Sequence, residues 1–133
     1  MGQPGAKQND QILATDTHII LVPAAAGAPV PTPGPHPFVG IINASLSTNV
    51  NIMGLPAATQ GSMADNVPPH LPIPPAGSFS KPPTNKAQII MGSPTVMING
   101  KPAARNGDTA LTCNDPVDLP VGTVVAVGTV FIA

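Results

Sequence analysis

Three histidines and one cysteine are the only good soft or borderline metal ligands in this 133-residue chain: His18, His36, His70 and Cys113. Three imidazoles and one thiolate are enough to complete a tetrahedral zinc shell. Their spacing is not that of a zinc finger, so tertiary structure would have to bring the four side chains together. Because four protein ligands leave no open position for water or substrate, such a site would be structural and not catalytic.

The local sequence around two of these residues favours ligand binding. His36 lies between two prolines and His70 follows one, so a stiff backbone would present both imidazoles at a small cost in conformational entropy. Three aspartates close in sequence to the four residues could accept hydrogen bonds from imidazole N–H groups: Asp16, Asp65 and Asp115.

Each residue also has an ordinary structural interpretation, and the inventory alone leaves these alternatives open. His18 would be a hydrogen-bonded histidine in a strand, and His36 and His70 would be exposed loop residues. Cys113 would be a small buried apolar side chain, or the attacking thiolate of a Cys–His dyad. No recognisable flanking motif accompanies that dyad.

Elements that could position these residues are predicted to be strands. Residues 17–22 form a short apolar run typical of a buried strand, and residues 39–42 resume that pattern. The proline-rich segment 23–37 between them predicts an extended, polyproline-like connection. Residues 117–133 are too short and too rich in glycine and β-branched residues for a membrane helix, so they predict strands. Helical periodicity is weak throughout, so at most one short helix is expected.

An internal repeat supplies the strongest pattern in the chain. Asn99-Gly100 after an apolar run predicts a type I′ hairpin, and a second turn is expected at Asn106-Gly107. A similar unit lies 46 residues upstream, with eight identities in fifteen positions. Residues 23–27 resemble the unit only by coincidence. The identical pairs are Val50/Val96, Ile52/Ile98, Gly54/Gly100, Pro56/Pro102, Ala57/Ala103, Ala58/Ala104, Gly61/Gly107 and Ala64/Ala110.

Composition predicts a folded, loop-rich, all-β protein with a single domain over residues 1–133. Proline (19) and glycine (13) make up about a quarter of the chain, but 42% of residues are hydrophobic, which separates it from disordered sequences. Only 8% of residues are charged, and glutamate is absent, so a surface covered by a partner is expected. The five basic residues form no cluster, which argues against nucleic-acid binding.

Cysteine content and the N-terminal sequence indicate where the protein folds. A lone cysteine cannot form an intrachain disulfide, which favours folding in a reducing cytoplasm. The first ten residues contain no apolar segment of the kind found in Sec signal peptides. Export would therefore need another machinery.

Several motifs together resemble PAAR-repeat proteins. Pro102-Ala103-Ala104-Arg105 lies between two glycine turns and has a copy in Pro56-Ala57-Ala58-Thr59. The proline-rich segment around His36, Pro-His-Leu-Pro at His70 and Thr-Cys-Asn-Asp at Cys113 are similar to PAAR domains of Rhs-type and spike-tip proteins. The resemblance covers most of the chain. Thr59 departs from the arginine of the motif, which questions a charge contact there but not the fold.

The resemblance implies a small conical β-hairpin domain with approximate threefold repetition. Such a domain caps and sharpens the trimeric VgrG-like spike of a type VI secretion or related contractile injection system, with one copy per trimer. It also implies a structural zinc ion near the apex, held by three histidines and one cysteine. In this chain His18, His36, His70 and Cys113 supply that set.

The leading hypothesis is thus a structural, non-enzymatic spike-tip protein. It would be cytoplasmic before firing and then exported toward target cells, crossing membranes transiently without a stable anchor. It could also dock separate effector cargo. The alternatives are a small zinc- or cysteine-dependent hydrolase and a surface-exposed β-binding module.

Overall fold

The computed structural model describes residues 2–133 as β-strands and connecting loops, with no helical residue in that range. Within this range, accordingly, no helix is long and apolar enough to cross a membrane. The all-β prediction is confirmed. In chain order the strands are β1 (Gln3–Pro4), β2 (Gln11–Val22), β3 (Val30–Ala44), β4 (Asn51–Ile52), β5 (Leu55–Pro56), β6 (Met63–Asn66), β7 (Ser78–Phe79), β8 (Lys86–Ile89), β9 (Met97–Ile98), β10 (Lys101–Pro102), β11 (Thr109–Thr112), β12 (Leu119–Val125) and β13 (Phe131–Ile132).

Six strands close into a small antiparallel barrel in the order β2, β3, β6, β8, β11 and β12, with β12 pairing back onto β2. Alternate residues point inward, as the period of two in a strand requires. Burying each large apolar side chain of this core contributes roughly 1.5–3 kcal/mol. The largest apolar members of the core are Ile12, Phe38, Ile42, Ile89 and Val124.

One hairpin extends far beyond the barrel. β2 and β3 pair over their whole facing length, from Gln11 opposite Ile41 to Val22 opposite Val30. Among the strands of residues 2–133, β7 alone joins them at the far end, where Ile20 lies opposite Phe79. The molecule therefore narrows from six strands to three along its axis, as expected for a conical domain.

Proline occupies every second position in the first half of β3, where a polyproline-like connection was expected. Residues 23–29 do form the exposed connection, but residues 30–37 form a regular strand. N–H groups in a strand point alternately to either side, and at odd positions of β3 they point away from β2. The Val39 N–H, for example, donates to Asn66 on the β6 side. β6 pairs with β3 only from Gly40 onward, so the prolines lie where the strand has an open edge and no donor is needed.

Two hairpins with identical turn geometry confirm the internal repeat. β4 and β5 are joined by Met53 and Gly54, with φ values of 52° and 83°. β9 and β10 are joined by Asn99 and Gly100, with φ values of 52° and 76°. Positive φ at both central residues is the signature of the predicted type I′ turn.

The two ends of the chain form a third antiparallel strand pair that is equivalent to these hairpins, and we count it with them as the third hairpin. β13 pairs with β1, so that Ile132 lies opposite Gln3. The side chains of Ile52, Ile98 and Ile132, one from each hairpin, pack together in a small apolar cluster separate from the barrel core. The three hairpins thus meet around a common centre, which gives the fold its approximate threefold repetition.

The segment after each hairpin belongs to a closed ring, and we call these the ring segments: residues 4–10, 56–62 and 102–108. The Ala6 N–H donates to the Ala104 carbonyl at 2.9 Å, Ala104 to Ala58 at 3.0 Å, and Ala58 to Ala6 at 3.0 Å. All three alanines are fully buried. Three more bonds repeat the cycle one layer away: Gln8 N–H to Pro56 O, Gln60 N–H to Pro102 O, and Asn106 N–H to Pro4 O.

The ring segment at residues 4–10 was not found in the sequence. Gly5 replaces the first alanine of the motif, and Asn9, with φ of 75°, replaces the turn glycine. Its hairpin strand lies at the other end of the chain, so no single stretch contains the whole unit. Two signals remain: Pro4-Gly5-Ala6-Lys7 keeps the proline, the second alanine and the basic residue of the motif, and a Val-x-Ile triplet recurs at residues 50–52, 96–98 and 130–132. Residues 23–27 lie in the exposed loop, away from the ring, so their resemblance is indeed coincidental.

Each ring segment is closed by a side chain three residues after the motif's last position. Lys7 forms an ion pair with Asp10 at 3.1 Å, and Arg105 pairs with Asp108 at 2.9 Å. In all three segments the main-chain N–H of the same position also donates to that side chain, from Lys7 to Asp10, from Arg105 to Asp108 and from Thr59 to Ser62, and in the second segment this neutral bond is the one that remains. The departure at Thr59 therefore removes the charge contact and leaves the fold intact.

Candidate metal centre

Five chemistry-bearing side chains meet just beyond the barrel, where β2 and β3 begin to extend. Asp16 and His18 are two residues apart on β2 and so point to the same side, and His36 on β3 pairs with Asp16. His70 comes from the loop after β6, and Cys113 directly follows β11. All five residues are buried, with between 0% and 7% of their surface exposed.

Distances within this cluster suit a metal ion for four of the five residues. The Cys113 Sγ lies 3.7 Å from His18 Nε2 and 3.5 Å from Asp16 Oδ2. The Asp16 Oδ2 is 2.9 Å from His70 Nε2. The candidate ligand atoms of these four residues all lie within 4.8 Å of one another.

His36 belongs to the same cluster but lies slightly farther out. Its ring centroid is 5.4 Å from that of His18 and 5.5 Å from that of His70, and it is not part of the group within 4.8 Å. The structure thus brings all four predicted ligands together and adds Asp16. The assignment of His18, His36, His70 and Cys113 as ligands stays a prediction.

An unpartnered nitrogen on His36 indicates that a metal fits here. His36 Nδ1 lies 2.9 Å from the Gly34 carbonyl, so it carries the proton and leaves a lone pair on Nε2. That Nε2 is buried and has no hydrogen-bond partner among the described residues. Buried polar atoms normally have partners, and a backbone carbonyl that accepts the Nδ1–H is a usual way to orient a metal-binding imidazole.

Asp16 and Asp115, two of the three aspartates expected near the histidines, do lie beside them. Asp16 contacts His70, and Asp115 Oδ2 lies 3.5 Å from His18 Nδ1, which is too long for a good hydrogen bond. The expectation for Asp65 was wrong. Its side chain is 44% exposed on the outer face of β6 and pairs with Lys86 at 2.7 Å.

The Cys113 thiol is protonated at neutral pH in the metal-free protein. Burial, and then the nearby Asp16 carboxylate, raise the pKa of Cys113 to about 11. A nucleophilic cysteine needs the opposite shift, so the thiol gives no support to a hydrolase. Metal binding would replace the proton, since a coordinating thiol is deprotonated.

The burial of His18 makes the metal-free protein sensitive to acid. Desolvation, and then the neighbouring His70, lower the pKa of His18 below its ordinary value of 6.5. Below pH 6.5 the unfolded chain therefore binds a proton that the folded chain resists, and stability falls as the pH drops through this range. We expect the melting temperature of metal-free protein, measured by circular dichroism, to change little above pH 7 and to fall progressively as the pH drops from 6.5 to 5.5. A flat profile over that range would contradict this account.

Together, the closed barrel, the ring of three hydrogen-bonded segments and the buried imidazole–thiol cluster define a small all-β protein with a candidate metal centre. Residues 27–118 match the PAAR motif family, and because this is more than half of the chain, the protein belongs to that family. The resemblance seen in the sequence is confirmed. The matched range leaves out the ring segment at residues 4–10 and strand β13, which the structure shows to complete the third unit. Among curated proteins no match is found.

Proposed function

We propose that this protein forms the tip of the spike in a type VI secretion or related contractile injection system, seated as one chain on a trimeric VgrG-like partner. Membership of the PAAR motif family supports a spike partner in general terms. The observation that carries the finer proposal is the ring of three hydrogen-bonded segments. One chain with three near-equivalent units can match three identical chains of a partner.

The three hairpins offer the surface best suited to such docking. Met97 and Phe131 occupy equivalent positions on two of them, and both are more than half exposed, as is Met53 in the turn of the other. Lys101 is the one charged side chain in the three hairpins. An exposed, nearly uncharged face with large apolar side chains is typical of a protein–protein interface.

A structural zinc ion is the second part of the proposal. His18, His36, His70 and Cys113 would hold it, and nitrogen and sulfur donors of this kind suit zinc. When bound, the metal would cross-link β2, β3, the loop after β6 and the segment after β11. Such a cross-link is of most value here, because beyond this level only three strands remain and no second core can form.

Activity and location follow from the same proposal. The protein would act mechanically and not as an enzyme, with the narrow end leading into the target membrane. It would be cytoplasmic before firing, leave with the spike, and carry separate cargo where one is docked.

A binding experiment tests the docking proposal. Native mass spectrometry of this protein mixed with the spike trimer from the same genome should show one chain per trimer. Phe131→Asp, on the proposed docking face, should weaken the complex at least tenfold, because it places a charge in an apolar interface. Leu71→Asp is the matched control, since Leu71 is 75% exposed and lies in the loop between β6 and β7, outside the three hairpins. A 3:3 complex, no complex, or equal effects of the two variants would contradict the proposal.

A further inference from the structure

We propose that Asp16 is itself a ligand of the bound metal, so that the centre of this chain has five donor groups. This inference rests on the metal centre proposed above and extends it. It concerns the one acidic residue in a cluster otherwise made of imidazoles and a thiol.

The position of Asp16 is the first argument. Two donors bound to one metal with ordinary zinc bond lengths are about 3–3.6 Å apart, whether the metal holds four or five of them. Asp16 Oδ2 lies 3.5 Å from the Cys113 Sγ, and His18 Nε2 lies 3.7 Å from the same sulfur. The carboxylate oxygen is therefore about as far from the sulfur as the His18 nitrogen is, and both distances are close to those expected between two ligands of one metal. Its 2.9 Å contact with His70 Nε2 is shorter, because a proton lies between these two atoms in the metal-free protein.

The charge of Asp16 is the second argument. The residue is completely buried and forms no contact with a lysine or arginine among the described residues. A buried carboxylate is normally paired with a cation or bound to a metal, because desolvating an isolated charge is costly. Its present partners His70 and Cys113 supply no permanent positive charge. A divalent cation at this point would supply it.

Thr112 and Asn114 provide the third argument, since they hold the other carboxylate oxygen. Asp16 Oδ1 accepts hydrogen bonds from the Thr112 hydroxyl and from the Asn114 amide. The Asn114 side chain is itself fixed by accepting the Thr17 N–H at 2.7 Å. One oxygen is thus anchored by neutral donors. Such hydrogen bonding to a ligating carboxylate is a regular feature of metal sites. The other, Oδ2, accepts hydrogen bonds from His70 Nε2 and Cys113 Sγ, and a metal that replaced those protons would bind it through a single oxygen.

This assignment makes His36 the replaceable donor. It is the one imidazole outside the group of ligand atoms within 4.8 Å. Without it, Asp16, His18, His70 and Cys113 would still provide four donors. A variant that lacks only the His36 imidazole should therefore retain one metal per chain, whereas a variant that also lacks the Asp16 carboxylate should not.

Cobalt(II) titration of the full chain tests the assignment, because its visible spectrum reports the ligand set. Asp16→Asn should change the visible bands toward the stronger absorption of a four-coordinate site, which the loss of a hydrogen bond to His70 alone would not produce, and should lower the affinity for Co²⁺ roughly tenfold or more. His36→Ala should still bind one Co²⁺, and the double variant should lose stoichiometric binding. Asp65→Asn is the matched control, since this exposed carboxylate lies on the outer face of the barrel.

The outcomes separate the two proposals. If the wild-type protein takes up neither Co²⁺ nor Zn²⁺, the metal centre and the role of Asp16 both fail. If it binds metal but Asp16→Asn has the wild-type spectrum, Asp16 is only a hydrogen-bond partner and this inference alone is overturned. X-ray absorption of the wild-type zinc protein covers the case in which Asp16→Asn does not fold. Four nitrogen or oxygen atoms bound to the metal beside the sulfur would support a centre with five donors. Three such atoms would refute the five-donor centre.

Discussion

Replacing Cys113 with serine is expected to abolish stoichiometric zinc and to destabilise the protein by about 4 kcal/mol or more. Serine is a poor zinc ligand, and this loss differs from that of His36 because Cys113 is one of the four donors within 4.8 Å of one another. The donors of this cluster come from four separate parts of the chain. Without the metal, the apolar packing beyond the barrel is small: Ile20 is buried there, and Phe79 packs against His18 and His36. Elemental analysis of protein purified without added metal should show one zinc per wild-type chain and none in the variant. Its melting temperature should fall by roughly 10 °C or more.

A chelator provides the control for the loss of zinc. Wild-type protein stripped of metal should melt near the temperature of Cys113→Ser, and the chelator should not lower the variant further. Agreement between the two would assign the destabilisation to the metal and not to the lost sulfur contacts. Wild-type protein that contains no metal, or that melts unchanged after chelation, would overturn the structural zinc.

Replacing Ala58 with proline is the second change with a large expected effect. Proline has no N–H, so it would remove the hydrogen bond from Ala58 to the Ala6 carbonyl, and its ring has no room at a fully buried position. We expect a loss of about 3 kcal/mol or more in the free energy of unfolding. Chemical denaturation measures this loss. Because the ring holds the three hairpins in register, binding to the spike trimer should weaken as well.

Ala25→Pro serves as the matched control for that substitution. Ala25 lies in the exposed connection between β2 and β3, where proline is already frequent and the backbone is solvated. The same exchange there should change stability by less than about 1 kcal/mol. Equal stability of the two variants would show that the ring contributes little.

Local chemistry explains which parts of the fold were predictable. Asn99-Gly100 and its upstream counterpart predicted two hairpins correctly, because a type I′ turn demands residues that tolerate positive φ. The third unit escaped because Asn9 can adopt the turn conformation without being glycine, and because its two strands lie at opposite ends of the chain. Pairing between distant segments leaves little trace in either segment alone.

The candidate metal site was also predictable only in part. The scarcity of histidine and cysteine was enough to single out the four residues that gather in one buried cluster. Proximity in sequence was a poor guide to the acidic residues around them. Asp65 follows the inward-facing Ala64 on β6, so strand alternation turns it outward toward Lys86. Asp16 differs because it shares its side of β2 with His18.

The ring of alanines has a mechanical consequence. Each ring segment donates two of the six main-chain hydrogen bonds between the segments and accepts two others. Pulling any one segment free therefore requires four bonds to break, whereas an end member of an open row would be held by only two. A closed cycle has no end from which it can be peeled. A load applied to one hairpin is shared at once by the other two.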